Sequence, residues 1–141
     1  GLFLPSLHSR EMGPLVIGVD TSGSIDQKLL EIFAAEAKAV IEELQPRRVH
    51  VMYCDTVVQK QEVFERGDTI TIEASGGGGT DFRPVFKALE DLEEPPVCLI
   101  YLTDLRGTFP AEDPGLPVMW VTTHWNKNTV APFGEVVTID E

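Results

Sequence analysis

The sequence has no apolar run approaching the roughly 20 residues of a membrane-crossing helix, and its N-terminus lacks the basic stretch and long apolar core of a signal peptide. The expected location is therefore the cytoplasm, with no membrane partner. Cysteine is scarce: Cys54 and Cys98 sit in apolar runs without CxxC spacing, which excludes a thiolate zinc site and favours buried free thiols in a reducing compartment. The three histidines, His8, His50 and His124, are scattered without ligand spacing and are expected to be structural or at the surface. Positive charge is short as well. Eleven basic groups against 23 acidic ones leave a net charge of −12, which disfavours nucleic acid and anionic lipid and tolerates cations or basic partners. No HExxH and no Ser/His/Asp pattern is present, so no peptidase chemistry is expected within these residues.

What is present fits one domain. The chain has 141 residues, 43% of them apolar, enough for an ordinary core. It begins with Gly1 rather than methionine, and the Pro- and Gly-punctuated approach to the first strong strand predicts a linker or N-terminal arm over 1–13, joined to an upstream domain, and a folded unit over 14–141. Leu15 to Val19 is a continuous apolar run ending in Asp20, as in a central parallel strand covered on both faces. From Asp26 to Leu44 apolar residues recur every three or four positions, predicting an amphipathic helix that Pro46 ends. Val49 to Cys54 predicts a second buried strand. Asp55-Thr56 follows as a turn into the more polar run Val57 to Phe64, an edge strand. Phe82 to Leu92 carries a second helical period before Pro95-Pro96. Val97 to Leu102, Val118 to Thr122 and Val136 to Ile139 complete the strands, and Arg106 to Gly115 receives no assigned element. The expected fold class is α/β: a Rossmann-like, open, mostly parallel sheet with an antiparallel edge strand and helices on both faces. Such sheets bind ligands beyond the carboxyl ends of their strands, where the strand order reverses. Two buried runs end there in an acid, at Asp20 and Asp104.

The stretch Val19-Asp-Thr-Ser-Gly-Ser-Ile25 places a carboxylate and two hydroxyls at alternating positions, Asp20, Ser22 and Ser24. Hard oxygen donors of this kind suit Mg²⁺ or Mn²⁺. A plain helix start fits equally well, because Ser24 with Gln27 forms a capping box and Asp26 is itself a cap residue. The second unusual stretch is the glycine run before Thr80. Glycines let backbone approach a ligand closely. Pro84, lacking an N–H, fits the first helical turn, which makes Asp81 the expected N-cap, with Pro84 at the third helical position, and leaves Thr80 available for another role.

Asp20-Thr-Ser22-Gly-Ser24, then Thr80 behind glycines, then Thr103-Asp104 at a strand end, resembles the metal-ion-dependent adhesion site of von Willebrand factor A (VWA) domains, written DxSxS…T…D. With the lead-in from Leu4, Tyr53-Cys54-Asp55 and the run Gly76 to Phe82, the chain resembles the VWA-like domain at the C-terminal end of bacterial proteins that carry a metallopeptidase-type domain upstream. The resemblance implies a non-enzymatic, Mg²⁺-dependent (or Mn²⁺-dependent) protein-binding module. In it Ser22 and Ser24 coordinate the ion, Thr80 does so directly or through water, and Asp20 and Asp104 hold bound waters and the serine hydroxyls. One position is left for an acidic side chain donated by a protein partner.

The competing reading is Mg²⁺-dependent phosphoryl transfer of the haloacid-dehalogenase type, with Asp20 as nucleophile. Such enzymes present a second aspartate two residues on, where this chain has Ser22. Among other residues, Asp55 ends the second strand and is expected in a turn, with the crevice as the alternative; Trp120 is expected in the core, and Trp125 either at the binding rim or in ordinary packing.

Overall fold

A computed structural model describes residues 13–23, 25–73, 77–123 and 130–139. The elements run β1 (Leu15–Asp20), α1 (Gln27–Leu44), β2 (Arg48–Cys54), β3 (Val58–Glu65), α2 (Arg83–Glu90), β4 (Cys98–Leu102), β5 (Val118–Thr123) and β6 (Glu135–Ile139). They form one six-stranded sheet of order β3-β2-β1-β4-β5-β6. All neighbours are parallel except β2 and β3, which pair as an antiparallel hairpin at the margin. The order reverses between β1 and β4, so the crevice of an open α/β sheet falls at their carboxyl ends. There Val19 pairs with Leu102, and Asp20 and Thr103 are the next positions along.

The helices lie on opposite faces, as the periodicity predicts. Leu30, Phe33, Ala37, Val40 and Leu44 of α1 pack with Leu15, Ile17, Val19, Val51, Ile100 and Val121 on one side. Val85, Phe86 and Leu89 of α2 pack with Val16, Met52, Leu99, Tyr101 and Trp120 on the other. The strict alternation along β1 is why its whole run is apolar: neither face meets water. Each large side chain removed from water in this way stabilises the fold by about 1.5–3 kcal/mol before entropy is counted.

Helix α1 starts at Asp26, whose Oδ1 accepts the Leu29 N–H at 2.8 Å. It stops at Gln45, which takes a left-handed φ of 48° and returns its N–H to the Ile41 carbonyl, with Pro46 next. Asp26 is thus the cap. Ser24 itself lies outside the described residues. Helix α2 is shorter than its period suggests. Asp91 and Leu92 turn their N–H groups back to Ala88 and Leu89 in tighter, three-residue closures, and Pro95-Pro96 then disfavours helical backbone just ahead. Its hydrogen-bonded part begins at Arg83, placing Pro84 second rather than third. Phe82, with helical dihedrals, takes the N-cap position without a side-chain cap, so the expected cap residue Asp81 stands one position further out, where its Oδ1 accepts the Arg83 N–H at 3.0 Å. Residues 106–117 contain no helix; Phe109 and Leu116 cover the α2 side there instead.

Gly18 marks the tightest point of the sheet. A Cβ built on it would lie 3.0–3.1 Å from three carbons of the Tyr101 ring. That ring stacks on Trp120 (centroids 5.3 Å apart) and meets Phe82 edge-on at 5.1 Å, so it has no room to retreat. Gly18→Ala is therefore expected to destabilise the domain by about 2 kcal/mol through overpacking. Urea unfolding reads this directly, and a loss below about 0.5 kcal/mol would show that the ring yields freely.

Candidate functional site

Asp20 closes β1 on the α2 side of the sheet and is fully buried. Its Oδ1 accepts the Ser22 N–H at 2.9 Å, and its Oδ2 accepts the Thr103 hydroxyl at 2.6 Å. Thr103 Oγ1 in turn accepts the Leu105 N–H at 3.1 Å. Burial pushes the Asp20 carboxyl above the ordinary range and the Asp104 charge adds to this, against the opposing hydrogen bonds from Thr103 and Ser22.

The β4 end is shaped by the same contacts. Leu105 is buried yet holds a φ of 66°, a left-handed conformation costly for a branched residue, and its N–H bond to Thr103 fixes the turn. That turn carries Asp104, which is 6% exposed and whose Oδ1 accepts the Arg106 N–H at 3.0 Å. Two carboxylates thus sit side by side at the switch point, with Ser22, 5% exposed, beside them. The Thr21 hydroxyl is buried with no hydrogen-bond partner among the described residues.

The glycine loop closes the other side. The Gly23 N–H donates to the Gly78 carbonyl at 3.3 Å, tying the loop after β1 to the glycine run, and the Ile25 N–H donates to the Ser22 carbonyl at 3.0 Å. Thr80, half-buried, packs over Gly107, where an added Cβ would come within 2.6 Å of its Cγ2. Asp81 bridges to Thr108, and the Phe82 N–H donates to the Thr108 carbonyl at 3.0 Å. The loops bearing Asp20 and Ser22, Thr80, and Asp104 are therefore mutually in contact.

A profile described as a VWA-like domain (DUF2201) matches residues 15–140. The chain belongs to this family. The VWA-like fold is also that of the crystal structure of the ArnB paralog VWA2 from Sulfolobus acidocaldarius, to which this chain is similar with a TM-score of 0.65 and 16% identity over 82% of its length. That likeness shows the fold alone, and this chain spans 36% of that protein. No curated protein matches.

Of the expected site residues, Asp20, Ser22 and Asp104 lie together at the ends of β1 and β4, and Thr80 lies on a loop that touches both of theirs, while Ser24 lies outside the described residues, as do His8, His124 and Trp125. Trp120 is core, and both cysteines are buried free thiols, Cys54 pushed up to about 11 and Cys98 to about 12 by burial. His50 is half-buried in β2, where burial lowers its pKa. Among the described residues no group of three His, Cys, Asp or Glu is placed to share an ion. A donor set of two carboxylates and several hydroxyls is not such a group; it has the hard-oxygen chemistry that Mg²⁺ and Mn²⁺ take. In that sense the residues present fit a hard divalent ion.

Two contributors stand outside the expected donor set. Thr103 entered only as the residue before Asp104, although a hydroxyl ending a buried apolar strand is itself a signal. Asp55 does form the expected turn, its Oδ1 accepting the Thr56 and Val57 N–H groups at 2.6 and 3.2 Å. Its other oxygen, however, reaches the crevice wall and accepts the Gly78 N–H at 3.3 Å. A separate groove of about 930 Å³, between α2 and residues 110–116, contains none of these residues.

Proposed function

We propose that this domain is a divalent-metal-dependent protein-binding module, with Ser22, Ser24 and Thr80 as hydroxyl donors and Asp20 and Asp104 holding coordinated waters and the serine hydroxyls. The observation that carries this reading is the burial of Asp20 beside Asp104 with hydroxyls and backbone N–H groups around it. A buried carboxylate with a like-charged neighbour costs stability unless a cation compensates it. Bound there, Mg²⁺ would supply one electrophilic position for an acidic side chain of a partner. The chain's own part is to keep the donors in place: Thr103 and the Ser22 N–H orient Asp20, the Leu105 turn presents Asp104, and the Gly78 to Gly23 bond joins the two loops. Phosphoryl transfer by Asp20 draws no support from its surroundings, because both its oxygens are engaged and the residue is 0% exposed, whereas a nucleophile must reach its substrate.

The test is affinity capture from lysate of the source cells in Mg²⁺ and in EDTA, with wild type and Ser22→Ala. Binding through the ion predicts a protein retained in Mg²⁺, released by EDTA and missing from the variant. By linkage, metal and partner should each raise the other's affinity by the same factor, commonly about 5–150-fold. Retention that ignores both EDTA and the substitution would overturn the proposal.

A further inference from the structure

We infer that Asp55 is a positioning residue that sets Thr80 for metal coordination, by clamping the glycine loop; this rests on the metal-binding reading above. Asp55 follows directly on Cys54, which pairs with Asp20 in the sheet, so it stands one residue past the site's own strand end. The residue is 5% exposed. Oδ1 is held by the Thr56 and Val57 N–H groups and by Gln59 Nε2 at 3.0 Å, which leaves Oδ2 aimed at the Gly78 N–H at 3.3 Å. The main-chain carbonyl of the same residue accepts the Asp81 N–H at 2.8 Å. Two anchor points, two residues before Thr80 and one after it, therefore converge on Asp55.

Without such anchors Thr80 would be poorly placed. The run Gly76 to Gly79 has no side chain to pack, and glycine backbone loses more freedom on ordering than any other. A side chain at Gly78 would also crowd this contact, because an added Cβ would lie 3.3 Å from Asp55 Oδ2. The clamp continues across the crevice: the Gly78 carbonyl accepts the Gly23 N–H at 3.3 Å, between the two serines of the proposed donor set. Gln59, with the Val57, Thr56 and Gly78 N–H groups, holds the Asp55 carboxyl down to about 2, so the clamp stays ionised throughout the neutral range.

The test is a double-mutant cycle on Mn²⁺ binding by the whole domain, followed by electron paramagnetic resonance, using Asp55→Asn, Thr80→Ala and the pair. Asp55→Asn should weaken Mn²⁺ about tenfold. The double variant should bind no more weakly than Thr80→Ala alone, because Asp55 acts through Thr80. Undiminished Mn²⁺ affinity in Asp55→Asn, or a full tenfold loss again in the Thr80→Ala background, overturns the assignment. Should Asp55→Asn not fold, Gln59→Ala replaces it, with a smaller effect and the same non-additivity. If wild type binds no Mn²⁺, the metal reading fails, and the clamp is judged separately by hydrogen exchange at Gly78. Faster exchange in the variant supports the clamp; unchanged exchange removes it.

Discussion

Replacing Trp120 by alanine is expected to cost the domain about 4 kcal/mol, the upper part of the range for large aromatic truncations in a core. Trp120 is fully buried at the middle of β5. Its ring stacks on Tyr101, meets Phe82 and Phe109 edge-on at 5.2 and 5.1 Å, and lies against Phe86 and Phe133 at 5.7 and 6.1 Å. Its Nε1–H donates to the Phe133 carbonyl at 3.0 Å, so the substitution also removes the partner of a part-buried acceptor. Residues 106–117 lack a helix that could move into the space. Because small domains hold only about 5–15 kcal/mol in total, the variant should be close to unfolding at body temperature. Thermal or urea unfolding checks this, and a loss under about 1.5 kcal/mol would mean that the aromatic cluster is not the main support of the α2 side.

The second large effect is at Asp20. Asp20→Asn is expected to weaken Mn²⁺ binding by at least about 100-fold and, in EDTA at neutral pH, to leave the fold as stable as wild type or about 1 kcal/mol more so. The sign follows from the raised carboxyl pKa. The native state holds this proton more tightly than the unfolded chain, so the metal-free wild type loses stability as pH rises from the ordinary carboxyl value of about 3.9 through the native one. Asparagine carries no charge and lacks that slope. Its advantage should therefore be small near pH 4 and complete above the native pKa. The gain is limited because the Asn amide meets the Thr103 hydroxyl, which already accepts from Leu105. Adding Mn²⁺ should reverse the order, since an ion at ten times its dissociation constant stabilises wild type by about 1.4 kcal/mol and the variant not at all. Unfolding curves in EDTA and in Mn²⁺ across pH 4–8 decide it. A variant less stable than wild type throughout would mark Asp20 as a structural cap.

The strands were legible because parallel strands buried on both faces are near-continuous apolar runs, as β1 is up to Asp20 and β4 throughout, and the edge strand β3 betrayed itself by Lys60 in mid-run. Helix α1 was legible to its last residue, since Pro46 and the apolar stripe agree. What resisted was anything set by contacts distant in sequence. The role of Asp55 depends on Gly78, 23 positions away, and that of Thr103 on Asp20, 83 positions away; neither separation leaves a local period. The early end of α2 depends on turns whose residues, Asp91 and Leu92, still fit a helix. For the site, the pattern of oxygens was readable, but the cap of α1 was settled by geometry, with Asp26 bonded to Leu29.

The central claim is that the oxygens after β1, beside Asp104 and Thr80, hold a hard divalent ion. A crystal structure of the domain grown with Mn²⁺, with anomalous diffraction data, tests this most directly. The account predicts one peak between the loops of Ser22, Thr80 and Asp104, with the Ser22 Oγ at about the 2.1 Å typical of a small hard cation on oxygen. Ordered loops with no peak there, or a peak bound only elsewhere, would contradict it.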